Sequence, residues 1–352
     1  MQQEYNYIPL PEPIPITEQI WPEETLPLVS TMTTAYNHGA YIRECIEGLL
    51  MQKTTFPVKL IIHDDASTDD TADIIREYEI KYPNLFKIIY QSENQYSQKV
   101  DIYNEFLLPD SKGKYIALCE GDDYWTDPLK LQKQVDFLEE NPEYGMAFTN
   151  EKLYYQTENR FEIVEKYKRS DSDLIFEEEL IENKIGTLTT CFRENLYHEY
   201  FQEIKPDEKG WKMGDYPLWL FITSNTKVRY LTDVTAVYRI LDESASRSKS
   251  LLKNLIFQIS VAQIKEYFAN RTNNQELVNE ELKLFYYDTF QIFYANKFVG
   301  INYKLIKDRV RRDNKLSVFN KIRLWGLKSI THYYLSYHLI NFLKRVRKML
   351  LK

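Results

Sequence analysis

The sequence predicts an α/β fold, a mainly parallel sheet flanked by helices, with a helical C-terminal extension. Three observations carry this. Between residues 28 and 149, short apolar runs alternate with stretches of helical periodicity, the pattern of chained βαβ units. Two carboxylate clusters, at 64–65 and 120–123, directly follow two of those runs. They would therefore lie at the carboxyl edge of the sheet, where ligands bind in such folds. From about residue 250 the strand signals stop and the apolar residues take a helical spacing.

The elements follow in order. Leu28-Val29-Ser30-Thr31-Met32 reads as a first strand, and a helix over about 39–52 places Tyr41, Ile42, Cys45, Ile46, Leu49 and Leu50 at helical spacing. Residues 58–63 form a second strand, and "DDASTDDT" a turn. Ser67 or Thr68 is suited to cap a helix over about 69–82, with Asp69 and Asp70 in its first turn. "FKIIY" is a third strand, 98–108 a helix and 115–119 a fourth strand. Asp127-Pro128 opens a helix that runs to about 141, since proline is favoured at the first helical position. "GMAFT" is a further strand, "GDYPLWLFITS" a short apolar helix, and "VRYL" and "TAVYRI" are late strands. The organisation expected is an extended, proline-rich arm over 1–25, an α/β domain over 26–248, and a helical region over 249–352.

Composition narrows the class. The 43% hydrophobic content suits a sizeable core. The three cysteines, Cys45, Cys119 and Cys191, are scattered without a CxxC pair, which argues against a disulfide framework or zinc site and fits a reducing compartment. The N-terminal stretch lacks the basic and apolar regions of a secretory signal, and no run approaches the roughly 20 apolar residues that span a bilayer. The net charge is −7, yet residues 303–352 alone carry +12, which leaves −19 on the remainder. A basic tail on an acidic body either meets something anionic or docks against that body. Its last helix gathers Leu335, Leu339, Phe342, Leu343, Val346 and Leu350, with Lys344, Arg345, Arg347, Lys348 and Lys352 beside them, an interfacial pattern. Nucleic acid is disfavoured, because the tail's aromatics share the apolar face and the body is acidic.

Glu120, Asp122 and Asp123 set three carboxylates in four positions where a strand leaves the core. Like charges at that spacing repel, and a hard divalent cation, Mg²⁺ or Mn²⁺, offsets the repulsion while keeping sites for substrate phosphates. The plain alternative is a solvated acidic turn. Asp64 and Asp65 can accept from a base N–H or a ribose hydroxyl, or they serve the following helix N-terminus. Asp215, in "MGDYPLW", is either a helix cap or a general base for a sugar hydroxyl, with Trp219 supporting the sugar's apolar face.

"LVSTMTTAYNHGAYIRECIEGLLMQ", "LIIHDDASTDDTADII" and "GKYIALCEGDDYWTDPLKLQKQVDFL" resemble the family 2 glycosyltransferases of the GT-A fold, and "GDYPLWL" and "TAVYRILDESAS" resemble that family's acceptor-side motifs. The likeness covers about 26–248. It implies an inverting transferase that moves a sugar from a nucleotide-sugar donor to a glycan or lipid-linked acceptor in surface polysaccharide synthesis, using Mn²⁺ or Mg²⁺. It implies further that Thr34, Ala35 and Tyr36 wrap the nucleotide and that one of Asp64 and Asp65 contacts the base. Glu120-Gly121-Asp122 replaces the family's DXD motif, with Asp122 the principal metal ligand and Glu120 facing the ribose or metal-bound water. Asp123 supports the site or touches the donor sugar, and Asp215 is the catalytic base. Two departures stand out. The motif begins with glutamate, and Leu241 stands where many relatives have a histidine, with Asp242 next to it. The resemblance also implies a cytoplasmic enzyme, peripheral at the inner membrane face if the tail meets lipid. A nucleotidyltransferase is disfavoured because "TTAYNHGAY" is not a glycine-rich basic phosphate loop. A degenerate, donor-binding scaffold is the non-enzyme alternative; Leu241 favours it, while Asp122 and Asp215 oppose it.

Overall fold

A computed structural model describes residues 5, 7–163, 170–242, 248–313 and 316–350. The chain forms two compact units, Met1–Ser244 and Ala245–Lys352. The first contains β1 (Val29–Ala35), α1 (Ile42–Leu50), β2 (Val58–Asp64), α2 (Thr71–Lys81), β3 (Phe86–Tyr90), β4 (Tyr115–Leu118), β5 (Tyr124–Trp125), α3 (Lys130–Glu140), β6 (Tyr144–Tyr155), β7 (Thr190–Arg193), α4 (Asp215–Asn225) and β8 (Lys227–Ile240).

The sheet runs β8-β6-β7-β4-β1-β2-β3, with the short strand Ser172–Leu174 outside β8. β1 pairs parallel with β2 and β4, and β3 parallel with β2, so the alternating half of the sequence builds a parallel half-sheet as expected. β7 enters antiparallel between β4 and β6, while β8 again runs parallel to β6. The sheet is thus mixed. β7 comes after the excursion over 156–189, not after a crossover helix, so nothing constrains it to run with β4. The strands of the parallel half are almost fully buried, with Val29, Met32, Leu60, Ile61, Ile62, Ile116 and Ala117 all 0% exposed, as expected of a sheet covered on both faces.

α1 packs so closely on β5 that a Cβ on Gly48 would sit 2.8 Å from the backbone N and O of Trp125. All three cysteines are buried and free; the Cys45 and Cys119 sulfurs lie 3.9 Å apart. Three local expectations change. The segment 98–108 is not one α-helix but a 3₁₀ turn (Tyr96–Gln98), a π-helical turn (Tyr103–Leu107) and a single α turn (Leu108–Asp110) with Pro109 in its first positions, ended where Ser111 turns extended. Neither Ser67 nor Thr68 caps α2; its N-cap is Asp70, which makes no side-chain cap bond, and Asp69 before it accepts from the Thr71 N–H at 3.1 Å and from the Thr71 hydroxyl. The N-terminal arm is tied down: Ile14-Pro15 pairs antiparallel with Lys53-Thr54, and Ile16 is buried.

The second unit is helical: α5 (Leu251–Thr272), α6 (Gln275–Ala295), α7 (Tyr303–Asp313), α8 (Val318–Gly326) and α9 (Ile330–Leu350). Phe268, Phe290, Phe293, Ile306, Leu324 and Tyr333 are its buried apolar anchors. Among the described residues no helix is long and apolar enough to cross a membrane. Lys352, the side chains of Arg345–Leu350, and Glu243–Arg247 at the end of the family resemblance lie outside the described residues.

Candidate active site

The carboxyl ends of β1, β2 and β4 are laced together by backbone bonds. The Asp65 N–H donates to the Ala35 carbonyl and the Gly121 N–H to the Thr34 carbonyl, both at 2.9 Å. The loops beyond clasp each other through side chains. Asn37 N–H donates to Ser67 Oγ at 2.9 Å, Thr68 N–H to Asn37 Oδ1 at 2.8 Å, and Gly39 N–H to Asp69 Oδ2 at 2.9 Å. Asn37 and Ala66 turn these loops with φ of 55° and 59°, a region that alanine adopts only when its surroundings hold it there. Thr34 is half-buried, Ala35 buried, and Tyr36 is 46% exposed at the loop's outer rim.

The two aspartates after β2 differ. Asp65 is fully engaged: its oxygens accept from Gln95 N–H at 2.7 Å and Tyr96 N–H at 3.1 Å, so it organises the 94–98 turn. Asp64, just as buried, accepts only from Ser67 N–H at 3.4 Å through Oδ2, and its Oδ1 has no partner. Asp64 is therefore the member of the pair with a free acceptor.

At the end of β4 the acidic loop is strained electrostatically. Burial pushes the Glu120 carboxyl up to about 8, helped by the charges of Asp122 and Asp215, and its Oε2 is buried without a partner. Asp123 is 2% exposed and is also raised well above the carboxylate range, by burial and then by Asp122 and Glu120. Its Oδ1 accepts from Arg239 N–H at 2.7 Å, so it fastens the loop to β8 and does not face solvent.

Asp215, the first residue of α4, accepts from the Thr187 hydroxyl at 2.9 Å and from Tyr216 N–H at 2.8 Å. Burial raises its carboxyl, and those two bonds oppose the rise. Tyr103 joins the groups: its phenol bonds to Thr34 and is raised by burial first and then by Glu120 and Asp215. The fold thus sets the Asp122 and Asp215 charges near enough to Glu120 to raise its pKa, links Thr34 to Tyr103, and leaves Asp64 near His38.

Four contributors escaped the sequence reading. His38 stands among Asp122, Asp69 and Asp64; burial lowers its pKa against their pull, and its buried Nδ1 has no partner. A Cβ at residue 121 would lie 2.8 Å from that nitrogen and 3.1 Å from the Thr34 carbonyl oxygen, so a larger residue between the motif's carboxylates would have to displace His38. Arg239 is buried beneath the acidic loop. Its Nε donates to the Asp122 carbonyl at 2.8 Å, its guanidinium pairs with Glu44, and it lies 4.8 Å from the Tyr41 ring centroid. Tyr103 and Thr187 are the other two. His38 and Arg239 lie in segments whose motifs the sequence singled out, but neither residue was read as part of the site.

Trp219 is not at the site. It is 0% exposed and meets Phe192 edge-on at 5.9 Å, because α4 is buried on every side from Tyr216 to Thr223; it fills the core and offers no surface to an acceptor. Leu241 is half-buried, and the exposed Asp242 is bonded to the Thr157 hydroxyl at 2.9 Å.

For a divalent cation, the donor chemistry fits: hard carboxylate oxygens, one of them buried without a partner, where the Asp122 charge raises both Glu120 and Asp123. No group of three or more His, Cys, Asp or Glu converges among the described residues.

A model of the glycosyl transferase family 2 matches residues 30–201. An uncharacterised protein of Mycobacterium tuberculosis is 45% identical over 130 residues, which are 36% of this chain and 36% of that protein, so the match spans about a third of its length. An Escherichia coli protein, the UDP-Glc:alpha-D-GlcNAc-diphosphoundecaprenol beta-1,3-glucosyltransferase WfaP, is 31% identical over 236 residues, 66% of this chain and 85% of WfaP. Among solved structures, Staphylococcus aureus TarS superposes with a TM-score of 0.58 at 17% identity, over 87% of this chain and 54% of TarS. A mannosyltransferase from Pyrobaculum calidifontis, solved with GDP-Man and Mn²⁺, superposes with 0.51 at 13% identity, over 97% of this chain and 91% of its own. At those identities the structures speak to the fold, which is GT-A. With the motifs in order along one sheet edge, and a relative matched over most of its length, the chain belongs to glycosyl transferase family 2.

Proposed function

We propose that this protein is an inverting glycosyltransferase that moves a sugar from a nucleotide-sugar to a glycan or lipid-linked acceptor, in the synthesis of a surface polysaccharide or glycoconjugate. The observation that carries the reading is that Asp122 at the end of β4 and Asp215 at the start of α4, both half-buried, each press their charge on the half-buried Glu120. WfaP's name supports the acceptor class, and the names of WfaP and the Pyrobaculum enzyme support a uridine or guanosine diphosphate donor.

The residues divide the work. Asp64 offers its unpartnered oxygen to a base N–H or ribose hydroxyl, and Thr34, Ala35 and Tyr36 line the nucleotide's approach. Asp122 would hold Mn²⁺ or Mg²⁺, with Glu120 close by. When bound, such an ion neutralises the charge that develops on the departing diphosphate. Asp215, oriented by Thr187 and the Tyr216 N–H, takes the proton from the acceptor hydroxyl as that oxygen bonds to the anomeric carbon. The bond from that carbon to the diphosphate oxygen breaks with its electron pair, and the nucleoside diphosphate leaves. Burial keeps the Asp215 carboxylate more basic than a surface aspartate, which suits proton abstraction.

The test is a panel of nucleotide-sugars, each incubated with Mn²⁺, Mg²⁺ or EDTA, with free nucleotide measured and donor binding followed by calorimetry. One donor turned over with metal, and not by Asp122→Ala, is the expected result. Donor bound but never turned over, with any metal and a range of acceptors, would leave the protein a donor-binding scaffold.

A further inference from the structure

The last helix has two apolar faces, and only one is used. Tyr333, Ser336 and Ile340 of α9 are buried; the Tyr333 ring lies 5.0 Å from that of Tyr294 on α6, and the Ser336 hydroxyl is 3.0 Å from the Tyr294 hydroxyl. On the α8 side, a Cβ on Gly326 would come within 2.3 Å of Ser336 Oγ, so the two helices are in contact there. The second stripe, Leu335, Leu339 and Phe342, lies well round the helix at i, i+4 and i+7 spacing. Those side chains are 55%, 43% and 61% exposed. Trp325 at the end of α8 is a further large apolar side chain left 39% exposed. A helix that already has a buried face gains nothing in water from a second one.

The charge says what would cover it. Residues 314–352 hold nine Lys and Arg and no Asp or Glu. An exposed leucine and phenylalanine stripe on a helix within a chain segment whose only charges are lysine and arginine is complementary to a surface that is apolar inside and anionic outside. A nucleic acid would match the charge but leave the stripe in water; a second copy would bury the stripe but set basic segments against each other. We infer that α9 docks this protein on an anionic lipid surface, with Leu335, Leu339 and Phe342 entering the acyl boundary and the neighbouring lysines and arginines among the headgroups. The inference stands apart from the transferase reading, since no activity enters its test.

The full chain is mixed with vesicles of phosphatidylglycerol and phosphatidylcholine, or of phosphatidylcholine alone, and sedimented. It should pellet with the anionic vesicles at least tenfold more strongly than with the neutral ones. The variant Leu335→Gln/Leu339→Gln/Phe342→Gln should bind them at least tenfold more weakly while keeping the native circular-dichroism melt. The variant Lys321→Glu/Lys328→Glu/Lys344→Glu should lose the preference for anionic lipid, and it decides alone if the first variant does not fold. Absence of binding to anionic vesicles, or binding unchanged in both variants, overturns the inference. So does self-association that the leucine–phenylalanine variant abolishes when neither protein binds vesicles, because the stripe would then be an interface between copies.

Discussion

Burial, and after it the nearby Asp122 and Asp215 charges, disfavour the ionised form of Glu120 when no metal is bound. Its folded pKa, about 8, lies above the ordinary 4.5, so the native state binds the proton more tightly than the unfolded chain. The stabilisation this gives is complete below about pH 4.5 and is lost as the pH rises through 8. Glu120→Gln removes the titration. In EDTA the variant should therefore gain stability over the parent as pH rises from 5 to 8.5, by something on the order of a few kcal/mol at most. Paired thermal melts at the two pH values check this; a constant difference would mean that Glu120 is not held protonated. At this scale the sequence showed Asp64, Glu120, Asp122 and Asp215, because carboxylates at strand and helix ends stand out in a chain otherwise apolar there. It misplaced Trp219, since an aromatic in an all-apolar helix reads alike whether it lines a site or fills a core. His38, Tyr103 and Thr187 were hidden because their partners are remote in the chain; the Thr187–Asp215 bond spans 28 residues.

Among the elements, the contact between α1 and β5 ties the core to the site. β5 begins one residue after Asp123, and Gly48 lets α1 approach it without a side chain between them. Gly48→Ala would force a methyl against the Trp125 backbone, which cannot move as a flexible side chain does. The variant should lose about 1–3 kcal/mol of stability in chemical unfolding, despite alanine's higher helix propensity, and its donor affinity should fall as β5 shifts. A stability equal to the parent's would show that α1 can move away freely. The alternating strands and helices of the parallel half were legible because burial on both faces demands continuous apolar runs. The antiparallel entry of β7 was not, because direction is set by the path of the chain over 156–189 and leaves no mark in the strand's own residues. The π-helical turn at Tyr103–Leu107 was also invisible, as its residues have the same periodicity as an ordinary helix.

For the whole molecule, every candidate site residue and the main apolar cluster fall within Met1–Ser244. A chain ending at Ser244 should melt cooperatively and bind donor within about threefold of the full protein, since the parts that carry the donor site are all present. Calorimetry and a thermal melt of that truncation check it; a non-cooperative melt would show that the helical unit completes the core. The charge asymmetry was plain in the sequence, and so was the amphipathic tail. That α9 has one face buried and a second exposed required the packing of Tyr333 and Ser336 against α6 and α8.

The central claim is that Asp215 takes the acceptor's proton in a site built around the β4 carboxylates. Asp215→Asn keeps the size of the side chain and an oxygen for Thr187 but cannot accept that proton. Donor affinity by calorimetry and sugar transfer at saturating donor are measured together on parent and variant. The account predicts donor affinity within about twofold and a transfer rate lower by roughly 10²–10⁴-fold. Transfer at the parent's rate, with affinity retained, would contradict it.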